Sequence, residues 1–281
     1  MGSFFEDRIL VIANMHGKER VIAPVLEAAL GVSCIVPENF DTDQFGTFSG
    51  EIERFQNPLE TLKAKCNLGF ELTGCDLVIA TEGSFGAHPD LPFCAAHDEL
   101  ILLMDFKNNV SFSARILTTE TNFQGKKIRS EEELIAFGES IDFPNQAIIL
   151  RNEEQSMLYL KKGINDWDEL LTAFRVCMRR HDNVFVETDM RAMHNPLRMK
   201  QIEQLTLKLM AQLKVLCPSC EMPGYGVTSV LPGLPCWICE TPTSSVLKHV
   251  LTCTACQHQE EVYFPNGRQT EEPTFCPACN P

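Results

Sequence analysis

Four Cys-x-x-Cys pairs, Cys217/Cys220, Cys236/Cys239, Cys253/Cys256 and Cys276/Cys279, crowd the C-terminal end of this chain. Each knuckle presents two soft ligands from one tight turn, so eight thiols at this spacing are the number and type that two tetrahedral Zn2+ sites require. Turn-forming residues accompany every pair: Pro218 and Pro223-Gly224, Pro235 and Pro242, Pro265 and Gly267, Pro277. The segment has too few large apolar residues for a core of its own, and bound metal can replace that core. Such closed sites are structural and do no chemistry. Competing uses are a disulfide framework or redox pairs, the latter normally placed where a strand runs into a helix. Spacing leaves the pairing open. First with second and third with fourth leaves intervals of 15 and 19 residues, both normal for a ribbon; first with third and second with fourth is the alternative.

Charge bounds the partners. Residues 214–281 hold three basic residues (Lys214, Lys248, Arg268) against six glutamates, a net of −3, and the whole chain carries −14. Phosphate backbones call for a basic footprint, so the module reads as structural or protein-docking before nucleic-acid-binding. The same balance opposes anionic membranes but leaves room for a local basic pocket that holds a small anion. Met1 to Arg8 lack the basic start and long apolar core of a signal peptide, and the run Ile9–Ala13 is far too short to span a bilayer. Cys34, Cys66, Cys75, Cys94 and Cys177 lie on apolar segments and read as reduced core residues. A cytoplasmic protein is expected.

The first 213 residues alternate strand-like and helix-like segments. Apolar runs at Arg8–Ala13, Val32–Val36, Asp76–Thr81, Glu99–Asp105, Phe112–Leu117, Gln146–Leu150 and Asn183–Glu187 predict strands, several without alternation, which suits a sheet covered on both faces. Helices are predicted over Lys18–Leu30 (with a kink at Pro24 and a cap at Gly31), Pro58–Leu72, Asp166–Arg180 and Pro196–Leu213. Leu59, Leu62, Cys66 and Phe70 supply the inner stripe of the second. Lys107-Asn108-Asn109 reads as a hairpin turn, and the charged stretch 119–145 as a surface excursion with one short helix. The fold expected is a three-layer α/β domain with a mixed sheet over residues 1–213, then a double zinc ribbon over 214–281.

Three polar clusters sit where α/β domains keep their sites, beyond the carboxyl ends of strands. Asn14-Met15-His16-Gly17-Lys18-Glu19 opens a helix, whose free N–H groups and Lys18 suit an anion. Neither a Walker A loop nor a dinucleotide fingerprint is present. Thr81-Glu82-Gly83-Ser84-Phe85-Gly86-Ala87-His88-Pro89 reads as a sharp glycine-rich turn, where Glu82 could hold Mg2+ or activate water with help from Ser84 or His88. A nucleophile elbow is weakly supported, because Glu82 stands where the first glycine belongs. Glu187–Arg198 opens the last long helix. There Asn195 reads as its cap, Arg191 and Arg198 as an anion clamp, and Asp189 as the orienter of Arg191 or a metal ligand.

Together, Asn14-x-His16-Gly17-Lys18-Glu19, Glu82-Gly83-Ser84-Phe85-Gly86-x-His88-Pro89, Asp189-Met190-Arg191-Ala192-x-x-Asn195-Pro196-x-Arg198 and the knuckles resemble a bacterial domain family of unknown function. That resemblance covers nearly the whole chain and implies no activity. The first 120 residues or so are also similar, more remotely, to the inosine/xanthosine triphosphate pyrophosphatases. Asn14 and Lys18, Glu60-Thr61 with Lys63-Ala64-Lys65, and Glu82-Gly83 carry that similarity. It implies that Lys18 holds phosphates, that Glu60 and Glu82 bind Mg2+, and that water attacks the α-phosphorus to release pyrophosphate. His16 and Ser84 have no counterpart there, and that class normally lacks both the zinc tail and the Asp189–Arg198 motif.

Two readings of function follow. A Mg2+-dependent hydrolase of a nucleotide or other phosphorylated small molecule needs the three clusters on one cleft with a carboxylate pair. A non-catalytic binder of an anionic ligand, whose zinc module docks a protein, needs Lys18, Arg191 and Arg198 together without such a pair.

Overall fold

Short apolar runs become parallel strands at the start of the chain. In the computed structural model, which describes residues 2–38, 40, 57–181 and 183–281, a short helix α1 (Gly2–Phe5) leads into β1 (Ile9–Ile12). Then come α2 (Glu19–Leu30), β2 (Ser33–Ile35), α3 (Pro58–Thr73) and β3 (Leu77–Ala87). β1 pairs in parallel with β2 on one side and β3 on the other. Antiparallel β4 (Ala95–Asp105) and β5 (Val110–Thr118) complete a mixed sheet of order β2-β1-β3-β4-β5. The β1–β2 and β2–β3 connections run in opposite directions along the sheet, and the right-handed sense usual for such units would place α2 and α3 on opposite faces. The layered α/β architecture with a mixed sheet is therefore present.

Helix α3 packs Leu62 and Cys66 against Val11, Ala13, Val78, Ala80 and Leu102. Its inner stripe is Leu62, Lys65, Cys66 and Gly69, while Leu59 and Phe70, expected inside, are 38% and 37% exposed. Phe70 instead stacks on Phe106. Asn57 caps α3 by accepting the Glu60 amide at 3.0 Å, and α2 ends on left-handed Gly31 after running unbroken through Pro24. The β4–β5 turn falls where Lys107-Asn108-Asn109 predicts it, with Asp105 accepting the Asn108 amide and side chain.

Residues 81–87 depart from expectation. They continue β3 rather than turn, and pair residue by residue with Ala95–Ile101. Gly83 lies inside the strand because two side chains approach its Cα: a Cβ there would stand 2.2 Å from Glu99 Oε2 and 2.5 Å from Arg198. The real turn spans 88–94, where His88 Nδ1 accepts the amides of Asp90 and Leu91.

The remaining strands form a second sheet, of order β6-β9-β7-β8, from β6 (Gly125–Ile128), β7 (Ile148–Arg151), β8 (Leu160–Ile164) and β9 (Val184–Thr188). Helices α4 (Glu131–Ser140) and α5 (Trp167–Met178) close its core, to which Ile128, Leu134, Phe137, Leu150, Leu170, Phe174 and Val186 contribute. The stretch 119–145 is thus not a surface excursion: Ile128, Leu134 and Phe137 anchor a strand and a helix in this core. Helix α6 (Pro196–Leu213) follows. No helix among the described residues is long and apolar enough to cross a membrane.

The chain divides into two compact units, Met1–Leu209 and Met210–Pro281. The second is a three-stranded antiparallel sheet of order β10-β11-β12, made of β10 (Gly226–Pro232), β11 (Val246–Thr252) and β12 (Gln259–Tyr263). None of these strand residues is buried. One small apolar cluster forms around Cys217, Tyr225 and Cys253, with Met222 and Leu251 alongside.

Candidate functional site

In a sheet of this order, β1 and β3 are the neighbouring strands whose connections leave in opposite directions, and ligands favour the crevice at such a point. A set of buried polar residues of the first unit gathers there. Asn14, just past β1, accepts the Thr81 amide of β3 through Oδ1 at 3.0 Å. Lys18 donates to Thr81 Oγ1 at 2.7 Å and lies 3.4 Å from Glu99 Oε1. Glu99 sits opposite Gly83 in the β3–β4 pairing and is fully buried. Arg198, from the first turn of α6, grips it with Nε at 3.0 Å and a terminal nitrogen at 3.1 Å. His97 Nε2 lies 2.8 Å from the same carboxylate, and its Nδ1 contacts Gln201. Phe85 stacks on His97.

Electrostatics follow from this crowding. Burial pushes the Glu99 carboxyl up, but the charges of Arg198 and Lys18 and the bonds from His97 and Arg198 outweigh it and hold it well below the usual range. Lys18 goes the other way: burial, opposed by Glu99, pulls it from 10.5 to about 7. Between those values the unfolded chain carries a proton that the folded one lacks, so stability should rise with pH from 7 toward 10.5, by up to about 1.4 kcal/mol per unit. Lys18→Met should remove that part of the slope, as measured by urea unfolding at a series of alkaline pH values. An unchanged slope would show that Lys18 stays charged.

The third cluster arrives beside the first. Burial and the charges of Lys18, Arg191 and Arg198, opposed by Asp189, lower His16 to about 4, leaving a neutral ring near three cations. Asp189 is fully buried and accepts from Arg191 and from the Gly163 amide at 3.0 Å. Asn195 caps α6 by accepting the Arg198 amide at 3.0 Å, and its own amide donates to Asn122. The loop 14–18 bends through left-handed His16 and Gly17, with φ of 70° and 73°. Among the described residues, the backbone N–H groups of residues 16–19 find no acceptor.

Of the residues singled out by sequence, Asn14, His16, Lys18, Asp189, Arg191, Asn195 and Arg198 converge. Four do not. Helical periodicity turns Glu60 and Lys63 outward, where they pair at 2.9 Å with half of each side chain exposed. Ser84 and His88 fall in the outer part of β3 and in its turn. Glu82 is buried but engaged by Lys65. Strand alternation sets Glu82, with Val78 and Ala80, toward α3, and Thr81, Gly83 and Phe85 toward the opposite face with Glu99. Glu60 and Glu82 therefore do not meet as a carboxylate pair. Sequence reasoning missed Glu99, His97 and Gln201. The available signal was His97-x-Glu99 leading into an apolar strand.

The cysteines form two sets: Cys217, Cys220, Cys253 and Cys256, and Cys236, Cys239, Cys276 and Cys279, with all ligand atoms of a set within 4.8 Å of one another. The pairing is interleaved, and the sheet dictates it. Each strand carries the chain to the opposite end, so the first and third knuckles lie at one end and the second and fourth at the other. The Sγ–Sγ separations of 3.7 and 3.6 Å in the first set, and 3.9, 3.5 and 3.4 Å in the second, exceed a disulfide bond. They match the edge of about 3.8 Å in a tetrahedron with metal–sulfur bonds of about 2.3 Å. The residue after the second cysteine is left-handed in three knuckles (Glu221, Glu240, Gln257), which folds the backbone around the thiols. The first cysteine of each pair is buried and the second exposed. Both sets can hold a metal ion.

Fold and sites define a protein with an α/β unit, organised around a buried charged network, and a cysteine-rich ribbon unit. The chain belongs to the DUF6671 family, a domain of unknown function, which it matches over residues 65–281. Comparison with the curated proteins found no match.

Proposed function

We propose that the Met1–Leu209 unit binds a small phosphate- or carboxylate-bearing molecule at the N-terminus of α2, and that the second unit holds two structural Zn2+ ions. The observation that carries the first part is Asn14. The residue is 3% exposed. Because Oδ1 is committed to the Thr81 amide, Nδ2 must face away, and it has no partner among the described residues. A buried donor left unpaired costs on the order of 1–3 kcal/mol, a cost that a bound oxyanion would remove. The N–H groups of residues 16–19, the helix dipole and the nearby Lys18, Arg191 and Arg198 supply the matching field.

This favours binding over Mg2+-dependent hydrolysis. The hydrolase reading places one ion between Glu60 and Glu82, and each is instead held by its own lysine. Among the described residues, only the two cysteine sets gather three or more potential metal ligands. For the second unit, the tetrahedral sulfur spacing and the soft ligand set support zinc.

Asn14→Asp separates the roles of the side chain, since it keeps the acceptor for Thr81 and replaces the unpaired donor with a negative oxygen. Calorimetric titration with phosphate, pyrophosphate and nucleoside triphosphates should show binding to the natural protein and a loss of about a hundredfold in the variant, from one lost charge-assisted bond plus repulsion. No binding of any of these anions, with no shift of the amide resonances of residues 16–19, would overturn the reading. Mg2+-dependent turnover of a nucleotide would restore the hydrolase.

A further inference from the structure

The cysteine-rich unit carries a feature that its metal sites do not explain. In the second knuckle Trp237 is 65% exposed, and Ile238 beside it is 69% exposed. The Trp237 amide donates to the Glu271 carbonyl at 3.1 Å, which fixes the knuckle against the segment 270–274. Between them lies an open cavity of about 490 Å3, lined by Trp237, Thr270, Glu271, Glu272, Pro273 and Thr274. Phe275, next in sequence, is 60% exposed.

The two carboxylates in this cavity differ. Glu271 is buried and committed: it accepts from Ser245 at 2.6 Å and from the Glu272 amide at 2.8 Å, and lies 3.7 Å from Arg268. The Glu272 side chain is exposed and has no hydrogen-bond or ionic partner among the described residues. Charge in the unit is lopsided in the same sense. Of its three cations, Lys248 is tied to Glu261 at 2.7 Å and Arg268 lies against Glu271, while Glu221, Glu240 and Glu272 form no ion pair among the described residues. A divalent ion in each tetrathiolate would leave two further negative charges per site.

We propose that this cavity receives an arginine or lysine side chain of a partner protein, seated on the Trp237 indole and paired with Glu272. An indole face beside a carboxylate is a recognition surface for a cation, and the surrounding negative field would steer a basic segment toward it. Exposed Ile238 and Phe275 extend the surface beyond what a small cation can cover, and large apolar and aromatic residues of this kind form the cores of protein interfaces. The inference concerns this unit alone and stands apart from the anion site of the first.

The test is fluorescence anisotropy on the full-length zinc-loaded protein, with a labelled short peptide of alternating arginine and leucine and a glutamate–leucine peptide as control. The arginine peptide should bind and the acidic one should not. Glu272→Gln, an exposed change that leaves the fold alone, should weaken binding about tenfold, and Trp237→Ala by at least as much, with both variants keeping their metal content. Failure of the arginine peptide to bind, equal binding of the acidic peptide, or full affinity in Glu272→Gln would each overturn the proposal. So would a dimer that sediments as monomer only in Trp237→Ala, which would make the face a contact between copies of this chain.

Discussion

Replacing Cys217 together with Cys253 by serine should leave one zinc ion per chain, whereas replacing Cys217 together with Cys236 should leave none. Cys217 and Cys253 belong to one set, so their joint loss empties a single site; Cys217 and Cys236 belong to different sets. Sequential pairing would give the reverse result, so metal analysis of the two double variants decides between the arrangements directly. The topology makes the outcome firm. Joining the first knuckle to the second would mean bridging the length of β10, seven residues, or about 23 Å at the usual rise per residue. The thermodynamic stake is large, because apparent binding energies for structural zinc run to about 10–16 kcal/mol. Against this, the unit offers little apolar burial of its own: no residue of β10–β12 is buried, and the cluster around Cys217 holds three buried residues, two of them cysteines. Chelation should therefore melt β10–β12, seen as fast hydrogen exchange across Gly226–Tyr263, while β1, β3 and β4 keep their protection. Retention of slow exchange in the metal-free ribbon would show that the sheet stands without its ions.

How much of this was legible in the sequence depended on whether the deciding interaction is local. The knuckles are: four residues make each one, and their number alone announced two sites. Their pairing is not, since it depends on strand direction in β10–β12, and those strands have little apolar pattern to reveal them. The loops 14–19 and 187–198 could be read as sites because each follows an apolar run and opens a helix. The stretch 81–87 could not, because its glycines have the look of a turn, and the reason for Gly83 is the approach of Glu99 and Arg198 from remote parts of the chain. Glu99 itself escaped notice for the same reason: its partners lie 81 and 99 positions away. The second sheet was only half visible. β7 and β9 are apolar runs, but β6 reads Gly-Lys-Lys-Ile and β8 Leu-Lys-Lys-Gly-Ile, polar outer strands that only pairing identifies.

Glu99→Gln should cost the first unit about 3–5 kcal/mol, the usual penalty for removing one partner of a buried ionic group. The carboxylate is fully buried and is the common partner of Lys18, His97 and Arg198. Without that charge the buried Arg198 guanidinium keeps its bond to the Met190 carbonyl but loses the carboxylate that Glu99 sets against it. The measurement is urea denaturation followed by hydrogen exchange at the β3 and β4 amides. Arg198→Met on the Glu99→Gln background should recover part of the loss, since a buried cation that has lost the Glu99 carboxylate costs more than an apolar side chain in its place. Strict additivity of the two changes would mean that the pair is not coupled. The acid side gives an independent reading. Because the folded Glu99 carboxyl is held well below 4.5, its stabilisation is complete above about pH 4.5 and is lost only as pH falls through that lower folded value. Glu99→Gln should therefore be less stable than the natural protein at neutral pH, and the gap should narrow as the pH drops into the strongly acidic range. A gap that holds constant with pH would assign the loss to packing around residue 99 rather than to its charge.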